Sequence, residues 1–173
     1  MDPALVAWKS WRSAHRKALN SCRKQQRLET ELARTVGFPC VTFNAPELPQ
    51  PVRIASLQAL DELAMKVPSI RQSQTFLAAE LHAHSARWEE ADQRLGYSAA
   101  LQQEVATYAE EARFAERLFS VEAISILGIA AKIDALIETE APSETCDEFP
   151  WPALRKIRGD LTRIMHQPLG LTV

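Results

Sequence analysis

Glycine is scarce in this chain, at five positions in 173, and runs of β-branched residues are missing. Ala, Leu, Glu, Gln and Arg take their place, so the composition favours helix throughout and no β-sheet is expected. Cysteine is sparse too: Cys22, Cys40 and Cys146 are odd in number, far apart and without a CxxC pair. That pattern fits three reduced, inert thiols better than a disulfide or zinc framework. The longest apolar stretch, Val121 to Ile137, is interrupted by Glu122, Lys132 and Asp134. It falls short of the roughly 20 clean residues that a membrane span needs. The opening "MDPALVAWKSW" has an acid at position 2 and no uninterrupted apolar core of a signal peptide. A cytoplasmic location without membrane contact is the expectation.

Catalytic signatures are missing as well. There is no GxSxG, no P-loop and no GxGxxG. Glu80 and His84 stand i, i+4, but the ExxH pairs of a helical di-iron site do not occur. Cys22 lies on an apolar helix face, the wrong environment for a thiolate. No catalytic residue, metal ligand or cofactor is assigned.

What remains is 46% hydrophobic, enough for a real core in a single helical domain over residues 1–173. The periodicity predicts an all-α bundle of five or six helices with a long N-terminal helix and a Pro-rich loop at about 37–53. Residues 3–36 gather Trp8, Trp11, His15, Ala18, Leu19, Cys22, Ala33 and Val36 on one face and stop at Gly37. Pro39, Pro46, Pro49 and Pro51 then forbid helix. A short helix follows with Leu57, Leu60, Ala64 and Val67, and a third, capped at Ser69, runs to Leu95 and closes at Gly96. Its inward row reads Ile70, Leu77, Leu81, His84, Trp88, Ala91 and Leu95.

A fourth helix from about Ser98 turns Leu101, Val105, Tyr108, Ala112, Ala115 and Phe119 inward, and Ser120 caps the next. Residues 121–138 carry apolar side chains on both sides and are expected to form the most buried helix, with Gly128 at a close contact. A last helix starts with Pro152 in its first turn and docks through Leu154, Ile157, Leu161 and Ile164.

Three pieces together, "DPALVAWKSW", "ISILGIAAKIDAL" and "DEFPWPALRKIRGDL", resemble a loose group of short helical proteins found in bacterial and prophage-like gene sets. The resemblance covers about a third of the chain. It implies a small accessory protein and brings no activity or binding residue with it.

The charge is polarised although the total is only −2. Residues 1–79 are net +5, residues 80–148 net −10 and residues 149–173 net +3. On the first helix Lys9, Arg12, Arg16, Arg23, Arg27 and Arg34 fall within about 60° of one another, a stripe roughly 38 Å long at a rise of about 1.5 Å per residue. Matching against acidic helices of the same molecule accounts for such a stripe without any ligand. Its functional reading is a footprint for a protein partner or a nucleic acid. The preferred function is a non-catalytic interaction or regulatory protein that binds a protein partner, with a second copy of itself a candidate. Trp8 and Trp11 would anchor that contact, together with the basic stripe. The alternatives are a nucleic-acid accessory protein and an enzyme with a site near His84, where His15 and His84 would share a site if their helices pack together.

Overall fold

The computed structural model describes residues 1–166. Six helices follow one another: α1 (Pro3–Thr35), α2 (Leu57–Lys66), α3 (Pro68–Leu95), α4 (Tyr97–Ser120), α5 (Ile126–Glu140) and α6 (Trp151–His166). The fold class is all-α. Between α1 and α2 lies one small ribbon, β1 (Val41–Phe43) and β2 (Val52–Ile54), antiparallel with Val41 opposite Ile54 and Phe43 opposite Val52. This ribbon corrects the expectation of no sheet. Pro46, Pro49 and Pro51 sit in the connection, where a missing N–H costs no ladder bond, so they bar helix without barring strands.

The chain divides into two compact units, one of Met1–Cys22 with Gln103 onward, the other of Arg23–Gln102. In the second, the ribbon, α2 and the first half of α3 close a core of Val41, Ala45, Ile54, Leu60, Ala64, Val67, Ile70, Leu77 and Leu81. Leu57, expected in that row, is exposed. Ser56 caps α2 by accepting the Ala59 N–H at 3.1 Å. Helix α3 starts two residues earlier than expected, with Val67 as its cap and Pro68 in its first position, and Ser69 donates its N–H and hydroxyl to the Glu47 carboxylate instead of capping. Those bonds hold Glu47 below the usual carboxylate range, the Ser69 hydroxyl foremost. Gly96 ends α3 at φ +77°, a left-handed conformation that costs a glycine nothing.

In the first unit, Ala7 and Trp11 of α1, Leu118 of α4 and Ala135 of α5 form the core, with Trp8, Phe114, Ala115 and Val121 against it. Helices α5 and α6 pack on each other. Helix α5 begins at Ile126 behind Ser125, whose hydroxyl oxygen accepts the Gly128 N–H at 3.1 Å. The expected cap at Ser120 is therefore corrected to Ser125, and residues 121–125 form a non-helical connection. As expected, this helix has the largest buried share among the described helices. Gly128, Ala130, Ala131, Ala135 and Ile137 are buried, but Ile126, Leu127 and Ile129 are each more than 40% exposed. Helix α6 docks through Leu154, Arg158, Leu161 and Met165, while Ile157 and Ile164, expected inward, face out.

The long helices share one grammar. Buried positions on α1 are Ala4, Ala7, Trp11, Ala14, Ala18, Gln25, Leu28 and Leu32, alternating steps of three and four apart from one gap at Ser21. On α3 the row Ile70, Gln74, Leu77, Leu81, His84, Trp88, Ala91 and Leu95 keeps the same steps, and on α4 so does Ala100, Glu104, Thr107, Glu111, Phe114 and Leu118. That spacing, close to 3.5 residues, is the seam of left-handed coiled-coil packing rather than the broader face of an ordinary amphipathic helix.

Candidate functional site

The predicted stripe is split by its surroundings. Lys9 and Arg16 of the first unit and Arg23, Arg27 and Arg34 of the second are exposed, and none forms an ion pair within its own unit among the described residues. Internal matching holds at Arg12, which reaches Asp134 at 2.8 Å, and at Lys17, off the stripe, which reaches Glu110 at 2.8 Å. The Lys17 ammonium holds the Glu110 carboxyl below the usual range.

Trp11 is not a surface anchor. Trp11 is fully buried, stacked on His15 with ring centroids 5.0 Å apart, and its Nε1 has no hydrogen-bond partner among the described residues. Trp8 is half-buried and donates Nε1–H to Asp134 Oδ2 at 3.0 Å. Trp11 corrects the expected role, and the seam spacing explains it: position 11 lies on the buried row, whereas position 8 lies beside it.

Asp134 is the hub of a site that the sequence reading passed over. Its Oδ2 accepts from Trp8 and Arg12, its Oδ1 accepts Arg158 Nη1 at 2.8 Å, and the Arg12 guanidinium lies over the Trp8 ring, 5.1 Å from its centroid. Around them runs a groove of about 460 Å³ between α1, α5 and α6, with Leu5, Leu127, Ala130, Ala131 and Met165 as apolar lining. The signal was present in "GIAAKIDALI", where a carboxylate inside an apolar run has to find partners.

Helix α4 turns a second row outward. The residues expected inward, Leu101, Val105, Tyr108, Ala112 and Phe119, are exposed, Val105 by 63%. The buried row lies one position earlier, because Glu111 of that row meets His15 Nδ1 at 2.6 Å. In the first unit Tyr108, Ala112, Ala115 and Phe119 form one wall of a groove of about 570 Å³, opposite His15 and Leu19 of α1 and closed by the end of α5 at Glu138 and Glu140. Partial burial, and then the Cys22 thiol beside it, raise the Tyr108 hydroxyl above its ordinary value.

His15 and His84 fall in different units, and each is engaged. His15 pairs through Nδ1 with Glu111 Oε1 at 2.6 Å. His84 Nε2 is 3.0 Å from the Val36 carbonyl, and its Nδ1 is 3.0 Å from the Cys40 carbonyl and 3.3 Å from the Cys40 N–H. Those contacts fasten the chain leaving α1 onto α3. Beside them Phe38 stacks on Trp88, which meets Tyr97 edge-on. No helix among the described residues is long and apolar enough to cross a membrane, and no group of three or more His, Cys, Asp or Glu among them is placed to hold a metal ion.

Comparison of the chain with protein-family models, with curated proteins and with solved structures gives no match.

Proposed function

We propose that this chain is a non-catalytic interaction protein that binds a basic, amphipathic helix of a protein partner against α4. The supporting observation is the uncovered row on that helix. Val105, Tyr108, Ala112 and, one heptad further, Phe119 keep the register of a coiled-coil seam, yet stand exposed. A seam of this kind receives a helix whose apolar residues keep the same steps. Charge selects the partner: Glu138 and Glu140 close the groove at the last turn of α5, where the helix dipole adds negative potential.

A labelled helical peptide with Leu at a and d and Lys at the flanking positions is the probe, read by fluorescence anisotropy. Saturable binding, weakened at least about tenfold by Phe119→Glu as a buried apolar anchor is lost, is the expected result. The same peptide with Glu for Lys should not bind. Equal binding of both peptides, or none, would overturn the reading. Sedimentation giving a dimer mass that Phe119→Glu abolishes would replace the foreign helix by a second copy of the chain.

A nucleic-acid accessory role is the second reading, favoured by the exposed cations Lys9, Arg16, Arg23, Arg27 and Arg34. It stands second because the whole chain carries −2 rather than a basic excess.

A further inference from the structure

We infer that the groove between α1, α5 and α6 is a binding site for a small amphipathic carboxylate, clamped by Arg12 and Arg158. Two guanidiniums share one carboxylate there, so the cluster keeps one net positive charge. Each arginine spends a single recorded hydrogen bond on Asp134, from Nη1, out of the five N–H groups that a guanidinium carries. Asp134 fixes where the two forks stand, and the side chains of Arg12 and Arg158 remain about a third exposed, at 33% and 34%. Their remaining donors are open to a ligand.

The lining settles the rest of the ligand. Leu5, Leu127, Ala130, Ala131 and Met165 offer apolar surface next to the cations, on the scale of a small-molecule site at about 460 Å³. A planar carboxylate matches a guanidinium fork in shape and cancels the one net charge. A phosphate monoester dianion would leave an excess negative charge beside Asp134, and an amine would meet two cations. The ligand is therefore an acid with one carboxylate and a short apolar body. This site shares no residue with the α4 groove, so its test stands apart from that of the proposed partner.

Isothermal titration of the whole chain at 0.15 M salt with octanoate, octanol, octyl phosphate and octylamine tests it. Octanoate should bind once per chain, with octanol at least about tenfold weaker for want of a charge-assisted hydrogen bond. Arg158→Lys should lose about tenfold, because a point charge replaces a fork. Leu127 is 46% exposed, so Leu127→Glu keeps the fold while placing a carboxylate on the groove, and it should abolish octanoate binding with an unchanged melting curve. Octanol binding as well as octanoate, octyl phosphate or octylamine binding more tightly, wild-type affinity in Leu127→Glu, or no saturable heat with octanoate would each overturn the assignment.

Discussion

The carboxylate of Asp2 accepts the hydroxyl of Ser125 at 2.5 Å. It also accepts the N–H groups of Ala4 at 2.7 Å and Ile124 at 3.1 Å, so one acid fastens the start of α1 to the start of α5. These bonds, the Ser125 hydroxyl foremost, hold the Asp2 carboxyl below its ordinary value. A depressed folded-state value stabilises above the unfolded value, near about 3.9, and that contribution fades as pH falls through the folded one. Asp2→Asn should therefore melt below wild type at pH 7, with the gap narrowing as the pH falls below about 4. A gap that is constant over that range would show that the carboxylate charge contributes nothing.

Gly128 lies under the same carboxylate. A Cβ built there would stand 2.7 Å from Asp2 Cγ, well inside contact distance, and the acid is held by its own hydrogen bonds. Gly128→Ala should cost about 1 to 3 kcal/mol by urea denaturation. An unchanged midpoint would mean that Asp2 can swing away.

Trp11→Ala should cost about 3 to 5 kcal/mol, because it empties the centre of the first unit's core. Trp11→Phe should cost less than half as much, since it keeps a ring against His15 and removes a buried N–H that has no partner. Equal losses in the two variants, measured by chemical denaturation, would indicate that Trp11 Nε1 is satisfied in solution.

Val105 tests the rotation of α4. At 63% exposure, Val105→Glu should shift stability by no more than about 0.5 kcal/mol, as surface changes do. A loss of several kcal/mol would put the second row inside.

Reversing Arg16, Arg23, Arg27 and Arg34 to Glu should leave the melting point nearly unchanged, because these cations have no ion pair within their units to lose. Should the wild type bind DNA or RNA at 0.15 M salt, the quadruple variant should lose that binding, and the wild-type affinity should fall steeply with salt. Destabilisation by a few kcal/mol would reveal internal matching after all.

Helix type and most boundaries were legible because Pro and Gly punctuate this chain: Gly37, Pro68, Gly96 and Pro152 each stand at or beside a helix end. The faces were less legible. Ala4, Ala7, Ala14 and Ala18 form much of the α1 seam, and alanine contributes too little hydrophobicity to mark a face against neighbours such as Leu19. On α4 hydrophobicity pointed the wrong way, since Leu101, Val105 and Phe119 outweigh Thr107 and Glu111, while the hydrogen bond between His15 and Glu111 decided the rotation. The short ribbon was hidden because three-residue strands leave no periodic signal. At the candidate sites, Trp8 and Arg12 were found but given to the surface; Asp134 was marked as a carboxylate in an apolar run, but local spacing does not name its partners Arg12 and Arg158, which stand on other helices.

The meeting of His15 and Glu111 also determines which way α4 faces. Turning α4 about its axis by one residue, about 100°, would bury its more apolar row and look better to a count of hydrophobic area. It would also carry Glu111 off His15 and leave an imidazole among Trp11 and its neighbours without a partner. A polar pair on a seam works as a key in this sense: it gives up some stability so that only one rotation fits, and here it keeps the oilier side of the helix in the open.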